Sequence, residues 1–103
     1  MKNQQHILKF KNSELTTLLL GRKGGRTTVR ILDLLLEHPY NINQLAKILK
    51  LDYGTIKHHI NLISKSDLIE GHSEVYGGLY FPSKKLINNL NEYFQIREHL
   101  INS

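Results

Sequence analysis

Apolar residues recur along this chain with a helical period from about residue 15, lose it near residue 68 and regain it after residue 83. Leu15, Leu18 and Leu19 share one side of a short segment that Asn12 or Ser13 can cap, and Gly21, Gly24 and Gly25 end it. Ile31, Leu32, Leu35 and Leu36 follow at i, i+1, i+4 and i+5, which predicts a buried scaffold helix from about Arg26 to His38, stopped before Pro39. Tyr40 to Ile42 reads as short and extended. Asn43 is the expected N-cap of a brief helix over Gln44 to Leu49, and Asp52 that of another from Tyr53 to about Ser66. Leu68 to Glu74 alternates only weakly, but Tyr76-Gly77-Gly78 separates it from the strand-favouring Leu79-Tyr80-Phe81. The pair predicts a β-hairpin turning at the two glycines. Pro82-Ser83 closes it, and Ser83 is placed to cap one last helix reaching Leu100 or Ile101.

Two short helices joined by Lys50-Leu51-Asp52 can lay the second in a DNA major groove while the first braces it. Ala46 is small where the helices must approach, and Leu45, Leu49 and Leu51 form the apolar side of the brace. Ile56, Ile60 and Ile63 recur at i, i+4 and i+7 and predict the core face of the second helix. Tyr53, Gly54, Lys57, His58, Asn61 and Lys65 then lie opposite, combining donors, positive charge and little bulk, as base edges and phosphates require. Any amphipathic helix has a polar side; position between a capped brace and a glycine-tipped hairpin gives this one its meaning. The fold class is mainly α with a small β-hairpin wing, a winged helix-turn-helix.

Length and charge narrow the function. A chain of 103 residues suits one domain. It divides into a basic N-terminal segment with a short helix (1–20), the winged helix-turn-helix (21–83) and a C-terminal dimerisation helix (84–103). No apolar run is long enough to span a bilayer and Met1 to Gln5 lacks a secretory layout, so a cytoplasmic protein without membrane contact is expected. The absence of cysteine excludes disulfides, zinc ribbons, thiol catalysis and thiolate metal sensing. The net charge of +5 favours a polyanionic partner. That charge is concentrated: Lys2, Lys9, Lys11, Arg22, Lys23, Arg26 and Arg30 stand against Glu14 alone through position 30. Met1 to Lys11 either tracks phosphates or, through His6, Ile7, Leu8 and Phe10, packs at an interface.

The remaining chemistry is sparse. His58 and His59 point about 100° apart on a helix and have no acidic partner one turn away, and Glu92, Glu98 and His99 do not form a ligand set. No metal, cofactor, nucleophile-base pair, carboxylate dyad or phosphate loop is recognisable, so no enzyme is expected. The last helix carries Leu86, Ile87, Leu90, Tyr93, Phe94, Leu100 and Ile101, interrupted at Arg97. The stripe can cover the chain's own core or a second subunit; the second is the favoured partner, with Leu86, Leu90, Tyr93, Phe94 and Leu100 as contacts in a homodimer.

Pro39-Tyr40-Asn41-Ile42-Asn43-Gln44-Leu45-Ala46 and Leu51-Asp52-Tyr53-Gly54-Thr55-Ile56-Lys57-His58-His59-Ile60 resemble the archaeal branch of the ArsR-like winged-helix regulators. Gly24-Gly25-Arg26-Thr27 and Tyr76-Gly77-Gly78-Leu79-Tyr80-Phe81-Pro82-Ser83 are similar to the same group, and the likeness spans about Gly21 to Leu90. The resemblance implies dimerisation through terminal helices and promoter binding by the recognition helix and wing. By position it puts Tyr53, Thr55, Lys57 and His58 at double-stranded DNA and Tyr76 and Gly77 at the wing tip; Gly54, Asn61 and Arg26 are grouped with them. Gly54 departs from the longer, frequently basic side chain of relatives, and Asp67 from the glycine that commonly follows the helix. The rival readings are a protein-interaction module of a transcription or processing assembly, which exposed Tyr53 and Tyr76 would suit, and an RNA-directed role.

Overall fold

The computed structural model describes residues 13–71 and 77–102; the basic segment Met1 to Lys11 and Tyr76 lie outside the described residues. The elements are α1 (Ser13–Leu20), α2 (Gly25–Glu37), α3 (Ile42–Leu49), α4 (Tyr53–Lys65), β1 (Ile69–Glu70), β2 (Phe81–Pro82), α5 (Lys84–Asn88) and α6 (Leu90–Ile101). Helix α2 lies at the centre and packs against α1, α3, α4, α6 and β2. It buries Val29, Ile31, Leu32 and Leu35, and one continuous core joins these to Leu15, Leu18 and Leu19 of α1, Leu45 and Leu49 of α3, and Ile56, Ile60 and Ile63 of α4. Leu86, Tyr93 and Ile96 complete that core from α5 and α6.

Local hydrogen bonding corrects three expected boundaries. Asn41, not Asn43, caps α3: its Oδ1 accepts from the Gln44 N–H at 2.7 Å, and Gln44 Oε1 accepts from the Asn41 N–H at 2.9 Å. Asn43 has Ala46 three residues on and so cannot make this reciprocal box. The expected extended stretch at Tyr40 to Ile42 shrinks to a single antiparallel bridge between Tyr40 and Tyr80, with Ile42 already helical. The last helix is two helices. Asn89 leaves helical geometry (φ −117°, ψ 23°), and its side-chain amide donates to the Lys85 carbonyl at 2.7 Å while its own carbonyl starts α6 by accepting from the Tyr93 N–H at 2.9 Å.

The hairpin is short. β1 and β2 are antiparallel, with Ile69 opposite Pro82 and Glu70 opposite Phe81, and Gly77 and Gly78 carry positive φ (63° and 81°) where the turn was expected. Helix, bridge, helix-turn-helix and hairpin together make a winged helix-turn-helix. No helix among the described residues is long and apolar enough to cross a membrane.

Asp67 stands at φ 57°, in the left-handed region just beyond α4. Its N–H donates to the Ser64 carbonyl at 3.0 Å and the Leu68 N–H to the Ile63 carbonyl at 3.3 Å, a Schellman closure that normally uses glycine. Leu68 and Ile63 are both fully buried, as that closure's apolar contact requires. The exposed Asp67 carboxylate also sits at the negative end of the helix dipole. Asp67→Gly is expected to stabilise the fold by about 0.5 to 1 kcal/mol, since relief of left-handed strain exceeds the added chain entropy. Thermal or urea unfolding checks this, and a less stable variant would refute it.

Candidate nucleic-acid interface

Helix α4 owes its start to Asp52. The carboxylate accepts from the Thr55 N–H at 3.0 Å, and bonding to the Thr55 hydroxyl and N–H holds its pKa below the usual carboxylate range. The preceding turn places Lys50 at φ 59° and ψ 43°, with the Leu51 N–H donating to the Ala46 carbonyl at 3.0 Å. These bonds set where α4 begins relative to α3.

The inner side of α4 is Ile56, His59, Ile60 and Ile63, all buried. His59 lies under the helix and not on its outer face. Its Nδ1 shares a hydrogen bond of 3.1 Å with Thr28 Oγ1 on α2, and a Cβ at Gly24 would stand 2.6 Å from its Cε1. Glycine at 24 is thus what lets the imidazole reach Thr28. Burial, followed by the nearby charges of His58 and Arg22, holds the His59 pKa below its ordinary value.

The outer side presents Tyr53, Gly54, Thr55, Lys57, His58, Asn61 and Lys65, all exposed, and a Cβ built on Gly54 meets nothing within 4 Å. Helix α4 therefore brings Tyr53, Gly54, Thr55, Lys57, His58 and Asn61 to one element, while Arg26 is exposed on the first turn of α2 and Gly77 at the hairpin turn. The sequence reading treated α3 only as a brace and missed Lys47, Ile48 and Lys50, which are exposed beside it. The signal was available: burial of Leu45 and Leu49 leaves positions 47 and 48 on the opposite side of the helix. From Ile42 to Lys65 there are four lysines and one acid, and that acid, Asp52, is engaged as a cap. The adjacent imidazoles of His58 and His59 lie edge-on at 5.7 Å, one outside and one inside, and no three potential metal ligands converge among the described residues.

The residues expected at a dimer interface divide. Leu86 and Tyr93 have no exposed surface and so cannot touch a second subunit without unfolding; Leu90 and Leu100 are half-buried against the same core. Phe94 is 50% exposed, alongside Ile87 at 48% and Ile101 at 47%.

Residues 26–70 match the family model of the bacterial regulatory proteins of the arsR family. The matched stretch runs from the first turn of α2 to the end of β1, so it contains the whole helix-turn-helix and leaves β2 and the terminal helices outside. No curated protein and no solved structure matches the chain. The match supports an ArsR-like DNA-binding regulator of transcription.

His59 links α4 to pH. Its pKa lies below 6.5 when folded and near 6.5 when unfolded, so below neutrality the unfolded chain binds more protons. Stability is therefore full above about pH 7, falls as pH drops through 6.5 towards the lowered folded value, and levels off beneath it. Melting temperatures across pH 8 to 5 should show this fall in the wild type and a shallower one in His59→Gln. Equal slopes would exclude His59 as the source.

Proposed function

We propose that the chain is a non-enzymatic transcription regulator that binds double-stranded DNA as a homodimer, reading base edges with α4 and flanking them with the hairpin wing. The observation that carries this is the division of α4: an inner side of Ile56, His59, Ile60 and Ile63 fixed in the core, and an outer side of hydrogen-bonding and cationic groups with no free carboxylate. On this reading Lys57, His58 and Asn61 reach bases and phosphates, Tyr53 and Thr55 sit at the helix start, and Gly54 lets the helix backbone approach closely. Arg26 and the wing tip at Gly77 add flanking contacts. Ile48 and Tyr53 are the exposed apolar groups that a protein partner would use. They stand among lysines without a surrounding apolar patch, which makes them a poor protein anchor and a fair contact for a thymine methyl.

A gel-shift titration against the DNA upstream of the chain's own gene, with unrelated DNA and RNA as competitors, tests the reading. The double variant Lys57→Ala, His58→Ala should lose about 1 to 3 kcal/mol of binding while its melting temperature stays nearly unchanged, since both side chains are exposed. A folded variant with undiminished affinity would remove α4 from the interface.

The dimer reading rests on Phe94 and Ile101, seven residues apart on α6 and each about half exposed, with the equally exposed Ile87 on the separate helix α5. Two subunits joined there would present two α4 helices to successive turns of a pseudo-palindromic site. Phe94→Asp with Ile101→Asp should give a folded monomer by sedimentation, because neither side chain completes the core. A wild-type monomer at tens of micromolar would end the proposal.

A further inference from the structure

A cleft of about 360 Å³ opens between α1 and the last turn of α4. Leu18 and Leu62 supply apolar walls, and Arg22 and Lys65 bring two cations to the rim. Neither cation has an ion-pair partner among the described residues. The cleft's own carboxylate, Glu14, is already paired with Lys85, whose ammonium also donates to the Ser66 carbonyl at 3.2 Å. The electrostatic balance left for an occupant is therefore positive. The volume is that of a small-molecule site, and its lining joins two leucines to Thr17, Ser66 and the charged groups.

We propose that this cleft binds a small organic carboxylate whose apolar body, an aryl ring or branched alkyl group, lies between Leu18 and Leu62. The Arg22 guanidinium offers a planar fork that matches a carboxylate, and Lys65 adds a mobile point charge. Inorganic phosphate would satisfy the cations but leave the partly exposed Leu62 facing water, and a neutral aromatic would do the reverse. Arg22 belongs to the turn after α1 whereas Leu62 and Lys65 belong to α4, so an occupant ties the recognition helix to α1. The inference concerns ligand binding by the free protein and does not require α4 to touch DNA.

The probe is benzoate, added to the isotopically labelled full chain and followed by amide and methyl NMR shifts, with inorganic phosphate, acetate and benzyl alcohol as comparisons. Saturable shifts are expected at Thr17, Leu18, Arg22, Leu62 and Lys65, with acetate, phosphate and benzyl alcohol each binding more weakly. Arg22→Gln and Lys65→Gln should each weaken benzoate by about tenfold or more, the loss expected for one charge-assisted contact. Arg30→Gln, an exposed cation on α2, should leave it unchanged. Shifts that do not saturate or scatter over many lysines, equal binding of phosphate or benzyl alcohol, or indifference to Arg22→Gln and Lys65→Gln would each overturn the proposal.

Discussion

The placement of α6 depends on one buried phenol. Tyr93 is wholly enclosed, and its hydroxyl donates to Asp33 Oδ1 at 2.7 Å with the Val29 carbonyl at 3.3 Å. Arg97 Nε donates to the other Asp33 oxygen at 2.8 Å. The Arg97–Asp33 pair is partly exposed and by itself contributes little; its value is to hold the carboxylate that Tyr93 needs. Burial, followed by the hydrogen bond and charge of Asp33, pushes the Tyr93 pKa far above its ordinary value, so the phenol remains a donor. Losing Asp33 would leave the buried hydroxyl only the longer bond to the Val29 carbonyl and remove a charge-assisted one worth about 1.5 to 3 kcal/mol. Since α6 is thereby locked on α2, Phe94, whose ring lies 5.6 Å from that of Tyr93, is left facing outward.

The helix-turn-helix is held differently, by backbone closures at its ends. Asn41 and Gln44 start α3, Lys50 turns it, Asp52 starts α4, and Asp67 ends it. Two of these closures place non-glycine residues in the left-handed region, at about 1 to 2 kcal/mol each. The strain persists because a neighbour of each turn is fixed: Leu49 before the first and Leu68 after the second are buried, and Ser83 locks the second turn by donating to the Asp67 carbonyl at 2.6 Å and accepting from the Leu86 N–H at 3.2 Å. A single serine thus joins the end of α4, the end of the hairpin and the start of α5.

Much of this was legible in the residues because the relevant signals are local and periodic. The isoleucines of α4, the Asp52 cap, the glycine turn of the hairpin and the fold class all follow from spacing within one or two turns of chain. What was not legible depends on partners distant in sequence. Arg97 reads as a break in an apolar stripe until Asp33 is brought beside it, 64 residues away along the chain, and Ile96 was passed over for the same reason. Leu86 and Tyr93 carry the same hydrophobic signature as Phe94, and only the directions of α5 and α6 decide which of them meets solvent. For the candidate interface, the polar side of α4 was readable from its period, and the period of α3 offered Lys47 and Ile48 in the same way, unread because that helix was taken only as a brace.

His59 unites the two modes of restraint. A polar side chain at this position in an amphipathic helix is not needed for burial as such, since an isoleucine would match its neighbours. Its Nδ1, however, reaches Thr28, and its ring occupies the space that glycine leaves at position 24. One side chain therefore fixes the middle of α4 against both α2 and the turn that follows α1. A hydrogen bond is directional where apolar packing is not. It opposes rotation of α4 about its axis, the motion that would exchange Lys57 and His58 for other residues at a groove. The neutral ring suits this task better than a charged one, because desolvation in the core disfavours protonation. The centre of α4 is consequently its most constrained part, and the outward direction of Lys57 and His58 is set from beneath, by a contact that itself never meets a ligand.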